Sequence, residues 1–113
     1  MRRFGLLAVV TFGVFVAVVL GVIYRDVRKT CLTAGARYQT NCQKALMKTL
    51  ESSVETKENR TRAVWALGQL ARKESLPVLK AHLNDELVDQ YELSKAIRWC
   101  EKGNVTSWMY GDF

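Results

Sequence analysis

The run Phe4–Tyr24, FGLLAVVTFGVFVAVVLGVIY, carries no charged side chain. As a helix rising about 1.5 Å per residue it reaches roughly 31 Å, enough to cross a hydrocarbon core of about 30 Å. Phe4 and Tyr24 bracket it as interface aromatics, with Arg2 and Arg3 outside one end and Arg25, Arg28 and Lys29 outside the other. The chain has 113 residues, and everything beyond the run is densely charged. That division argues against a wholly soluble protein and against a multidomain enzyme, and leaves room for one small domain.

A cleaved secretory leader is the rival reading of the same segment. Its apolar stretch would be about 7–15 residues, shorter than this one. No small-x-small site follows directly, since Ala34-Gly35-Ala36 lies beyond the charged Arg25–Lys29 block, and Arg28-Lys29-Thr30 before Cys31 is not a lipobox. The expectation is an uncleaved, single-pass anchor in the lipid bilayer. Gly13, Ala17 and Gly21 fall four residues apart and form a small-residue stripe, a face through which two copies could pair as a homodimer. The plainer reading is that Gly and Ala are common in membrane helices.

Charge is local. Residues 25–48 hold six basic side chains against Asp26 alone, whereas residues 49–113 hold nine basic and ten acidic ones. A polybasic segment beside lipid headgroups fits this pattern. Nucleic-acid binding would need a basic face on the folded part, and the near-neutral balance there argues against it. The expected organisation is a basic N-terminus (1–3), a transmembrane helix (4–24), a basic juxtamembrane linker (25–40), a helical repeat domain (41–103) and an aromatic tail (104–113).

Two signals disagree on orientation. Arg25, Arg28, Lys29, Arg37 and Lys44 follow the anchor, which favours a cytoplasmic domain. The cysteines favour the opposite side. Cys31 and Cys42 flank the loop-like stretch LTAGARYQTN and could close a small disulfide ring, which persists only outside the cytoplasm. Cys100 is then the odd one, read as a small buried apolar residue. A zinc site would need a closer cysteine pair than Cys31 and Cys42 with remote Cys100 and the single His82, so no metal and no cofactor is expected.

Compared with itself, the domain repeats at an offset of 33 residues: Ala45-Leu46 aligns with Val78-Leu79, Leu50 with Leu83, Val54 with Leu87 and Ala63-Val64 with Ala96-Ile97. The spacing predicts four helices. The first covers about 41–52, with Cys42, Ala45, Leu46 and Leu50 inward. The second covers about 58–72, with Ala63, Val64, Leu67, Leu70 and Ala71 inward and Ala66 and Gly68 allowing close approach. The third covers about 75–84, with Ser75 as cap, Pro77 in the first turn, and Val78, Leu79 and Leu83 inward. The fourth covers about 88–101, with Tyr91, Leu93, Ala96, Ile97 and Cys100 inward and Gly103 ending it.

The stretch Arg62-Ala63-Val64-Trp65-Ala66-Leu67-Gly68-Gln69-Leu70, followed by Ser75-Leu76-Pro77-Val78-Leu79 and Leu83, resembles the HEAT repeat. It is most like the short bacterial type also found in phycobilisome-lyase-related proteins, with an A-x-x-A-L-G helix and then L-P-x-L. About 60 residues are covered, and one repeat is strongly marked. The first helix has Lys44 where the proline would stand, and the fourth lacks the A-L-G ending. The chain also looks like small membrane-anchored HEAT proteins of unknown activity, which tend to carry cysteines and so lean the domain towards the extracytoplasmic side. The resemblance implies an all-α fold, a single transmembrane helix followed by a short HEAT-like α-solenoid of about four helices in two repeats. It also implies packing roles for Ala63, Ala66, Leu67 and Gly68.

No nucleophile elbow, H-E-x-x-H, phosphate loop or dinucleotide fingerprint occurs. His82 is expected on the solvent side, and the acids Glu55, Glu58, Asp85, Glu86 and Asp89 are expected to cap helices. An enzyme is therefore not expected, and the lyase analogy is weak. The C-terminal tail, with Trp108, Tyr110 and Phe113, either folds back to cap the stack or presents an aromatic hook to a partner or membrane, capping being favoured. The expected role is a membrane-anchored scaffold for protein–protein contact, with a surface at the turn Glu55, Lys57, Glu58 and Arg60 and the equivalent turn at 84–89. The partner-binding residues expected are Glu58, Arg62, Trp65, Asp89, Trp99 and Trp108. The alternative is an accessory subunit of a membrane complex, held through its transmembrane helix.

Overall fold

The computed structural model describes residues 2–111. Among these the chain is all helical, with five α-helices and no strand: α1 (Arg2–Tyr38), α2 (Cys42–Glu51), α3 (Lys57–Leu70), α4 (Leu76–Ala81) and α5 (Gln90–Lys102). A 3-10 turn at Lys73–Ser75 precedes α4, and another at Ser107–Tyr110 follows α5.

The longest element is also the largest departure from expectation. Residues 25–38, read from the sequence as a linker with a loop-like start to the Cys31–Cys42 stretch, continue the same helix without a break. The cause is a face hidden among the charges. Val27, Cys31 and Ala34 recur at helical spacing and are buried, with Tyr38 packed against the same core, while Arg25, Arg28 and Lys29 are exposed. α1 ends where Gln39 turns left-handed (φ 53°) and donates its N–H to the Gly35 carbonyl at 2.8 Å. The chain then doubles back so tightly that a Cβ on Gly35 would stand 3.3 Å from the Thr40 carbonyl oxygen. This hairpin brings Cys42, the first residue of α2, beside Cys31, and a disulfide joins them with Cα atoms 4.8 Å apart.

One core unites the five helices. Val27, Leu46, Leu50, Leu67, Leu79 and Leu93 are all fully buried. α3 and α5 make its central contact and run in the same direction. Asp89 donates its N–H to the Thr61 hydroxyl, the Cys100 thiol donates to the Leu67 carbonyl, and Asn104 reaches Gln69, pairs separated by 28, 33 and 35 residues. Gly68 sets how near the helices come: a Cβ there would lie 3.0 Å from both Cα and Cβ of Ala96 and 3.1 Å from the Trp99 ring.

Helix ends follow their caps. Asn41, Thr56 and Asp89 stand at the N-termini of α2, α3 and α5, and each accepts backbone N–H groups from the first turn. Gly103 ends α5 with φ 92°. The third helix is shorter than its apolar pattern suggests. It stops at Ala81, so Leu83 is half exposed rather than inward, while Val88 in the following turn is buried. Ser75 does not cap α4; its buried hydroxyl accepts from Gln43 Nε2 at 3.1 Å. Tyr91, expected inward, is 74% exposed.

Gly68→Ala drives a methyl into the backbone of Ala96, which cannot swing aside. We expect it to cost about 1–3 kcal/mol of stability, read as a lower denaturation midpoint of the intact protein in detergent. Reduction of the disulfide, whose partners lie 11 residues apart, is expected to cost about 3 kcal/mol by freeing the unfolded chain, read by the same measurement with and without reductant.

Candidate functional site

A groove of about 750 Å³ opens where α1 passes the starts of α3 and α5. Asp26, Lys29 and Thr30 line it from α1; Lys57, Glu58, Thr61, Arg62 and Trp65 from α3; and Asp89 with Glu92 from the start of α5. Both signs of charge therefore surround one tryptophan. The two helix starts are brought together because α3 and α5 run in the same direction, and α1 becomes a wall because its helix continues past residue 24. Four of the expected partner-binding residues, Glu58, Arg62, Trp65 and Asp89, converge here. Sequence reading missed Asp26, Lys29 and Thr30, whose only signal was the i, i+4, i+7 spacing of Val27, Cys31 and Ala34.

The other two lie elsewhere. Trp99 is half buried against Gly68, with the Lys95 ammonium 5.2 Å from its ring centre and 5.5 Å from that of Tyr91. Trp108 sits in the last 3-10 turn, 74% exposed. The tail thus divides: Tyr110 is buried and stacks on Tyr24, ring centres 6.0 Å apart and planes 6° from parallel, while Trp108 faces outward. Phe113 falls outside the described residues.

Not every groove charge is free to meet a ligand. Asp89 Oδ1 accepts the N–H groups of Tyr91 at 2.9 Å and Glu92 at 3.2 Å as the α5 cap. Glu92 Oε1 accepts from Lys95 at 3.2 Å, while its buried Oε2 has no partner among the described residues.

Glu55 and Arg60, expected on the surface of the first turn, are instead buried and structural. The Glu55 carboxylate pairs with Arg37 and accepts from the Tyr38 hydroxyl and Asn59 Nδ2, each at 3.0 Å. The Arg37 hydrogen bond, helped by those of Asn59 and Tyr38, holds its carboxyl below the usual range against the opposing pull of burial. Arg60 donates to the carbonyls of Ser52, at the end of α2, and Glu55, in the turn before α3, and so ties the two ends of that turn together. Together they lock the far end of α1 to the α2–α3 turn. His82, expected in solvent, is largely covered, its Nδ1 2.9 Å from Asp85 Oδ2, because α4 ends before the helical register could carry it outward. Cys100 is buried, and burial pushes its thiol up to about 11. Among the described residues no three His, Cys, Asp or Glu side chains cluster as metal ligands.

The apolar run of α1 projects beyond this body. Its large side chains from Phe4 to Val19 are exposed, and the helix is long and apolar enough to cross a membrane. Gly13 and Gly21 face open space. Compared with protein families, curated proteins and solved structures, the chain matches none.

Glu55→Gln removes the charge that Arg37 needs. Since the folded Glu55 is held below its unfolded value, its contribution is full above the ordinary carboxylate range and is lost as pH falls through the folded value. We expect Glu55→Gln to melt several degrees below the native protein at neutral pH, with the gap closing as the solution is acidified. A constant gap across that range would show that ionisation is not the source.

Proposed function

We propose that this chain is a single-pass membrane protein whose helices α2–α5 form two HEAT-like pairs and serve as a docking module for another protein. The observation that carries the reading is the groove at the start of α3 and α5. Trp65 offers an aromatic anchor, and Arg62, Lys29, Glu58 and Asp26 surround it with charges of both signs. Aromatic and Arg side chains with a polar rim are the usual makings of an interface hot spot. The partner suited to it is a protein segment with one apolar side chain between charged neighbours.

The repeat reading draws support from packing. Offsets of 28 to 35 residues between α3 and α5 bracket the 33-residue period of the sequence, and the aligned pairs Leu46 and Leu79, and Ala63 and Ala96, are buried alike. The membrane reading draws support from the exposed apolar side chains of residues 4–19, an area no water-soluble surface carries without cost. The Cys31–Cys42 disulfide favours an oxidising compartment for the domain.

A photo-crosslinking residue at Arg62 or Trp65 is expected to yield a discrete adduct in the cells that make the protein, whereas one at exposed Lys80 is not. The adduct should survive replacement of residues 4–24 by an unrelated anchor. Its loss on that exchange would favour the second reading, an accessory subunit gripped through α1, for which the open faces of Gly13 and Gly21 leave room.

A further inference from the structure

We propose that the C-terminal 3-10 turn, Ser107–Tyr110, is a second membrane contact, in which Trp108 enters the headgroup layer beside the point where α1 leaves the bilayer. The proposal rests on the reading of residues 4–24 as a membrane span.

Position along α1 carries the argument. Tyr24 closes the uncharged run, so it marks the lipid–water boundary. Tyr110 lies flat against Tyr24, ring centres 6.0 Å apart. The turn that holds Tyr110 is therefore tethered to the same depth. Two hydrogen bonds hold it there: Arg72, just past α3, donates Nη2 to the Tyr110 carbonyl at 3.0 Å, and the Thr106 hydroxyl lies 3.3 Å from Gln69 Oε1 in the last turn of α3. Trp108 is two residues from Tyr110 and 74% exposed, with Val105 more exposed still. A large indole left in water beside a membrane boundary is the kind of side chain that interfacial belts collect, with its ring among the acyl ends and its N–H in the wet layer.

Charge at this end is mixed: exposed Arg25, Arg28, Lys73 and Lys102 stand beside exposed Asp26, Glu74 and Glu101, with Glu101 paired to Lys80, so the seating rests on the aromatic geometry and not on a basic face. The opposite end of the body, where Glu55 meets Arg37, is about 20 Å farther along α1. With α1 alone the body could swivel on its stalk; with Trp108 seated as well, two contacts fix its tilt and the height of the groove above the lipid.

The test uses the full chain in vesicles of phosphatidylcholine and phosphatidylglycerol, with and without brominated acyl chains. Bromolipid is expected to quench part of the tryptophan emission, and Trp108→Phe to remove most of that part, leaving Trp65 and Trp99 unquenched. A second measurement leaves every tryptophan in place. Val105→Cys and Val54→Cys, at positions both 88% exposed, carry an environment-sensitive thiol dye; native Cys100 is buried and the other cysteines are paired. The dye at 105 should report an apolar, bromine-quenched setting, and the dye at 54 water. Protein that does not float with the vesicles would sink the spanning reading and the proposal with it. Protein that floats and resists carbonate extraction, yet has an unquenched Trp108 and a water-like dye at 105, would overturn the proposal alone. Shielding from aqueous iodide without quenching by bromolipid would also overturn it, in favour of a protein neighbour such as a second copy.

Discussion

The continuity of α1 is the constraint on which the structure depends. One helix carries the uncharged run and then, without a hinge, contributes Val27, Cys31 and Ala34 to the core of the folded body. A flexible linker at residues 25–40 would have left the body free to rotate about its tether. A helix there transmits the direction of the stalk into the domain, because bending it would cost backbone hydrogen bonds and the packing of Val27 together. Two clamps hold this arrangement along the length of α1: the Cys31–Cys42 disulfide near the middle of its packed segment, and the Arg37–Glu55 pair at its far end.

The second organising contact is between α3 and α5. Their direction is shared, and the helices touch at Gly68 so closely that no larger residue fits without displacement. With both helices pointing the same way, their first turns gather at one end and their last turns at the other. The groove occupies the first end, where Glu58, Asp89 and Glu92 stand, and the aromatic tail folds over the second. Acidic residues at helix starts complement the dipole there, so the same charges that steady the helices also set the polarity of the groove.

The proposed roles share that geometry. The groove depends on α1 as a wall, and the lipid contact of Trp108 depends on α1 as a ruler, through the stacking of Tyr24 on Tyr110. A docking module fixed at one height above a membrane presents its partner with far fewer orientations than a tethered bead would, which lowers the ordering cost of association.

Hydrophobic spacing in the sequence marked where helices form. The uncharged run, the helices at 41–52, 58–72 and 88–101, the burial of Leu46, Leu67 and Leu79, and the close approach at Gly68 were all legible, because each reports a local period or a local steric need. Tertiary structure alone decided what such periods cannot encode. The helical face of residues 25–38 was masked by five charges, four of them exposed and the fifth, Arg37, turned to Glu55, and only the presence of α2 and α3 beside it makes Val27, Cys31 and Ala34 core. Glu55 and Arg60 looked like surface charges, since burial of a charge depends on partners distant in sequence, Arg37 above all. Leu83 turned outward because α4 ended early, while Val88 is buried from the turn that follows; Tyr91 stands exposed in the first turn of α5. Which charges meet around Trp65, and which aromatic of the tail faces out, followed from the direction of α3 and α5, a property of packing that no single stretch of sequence contains.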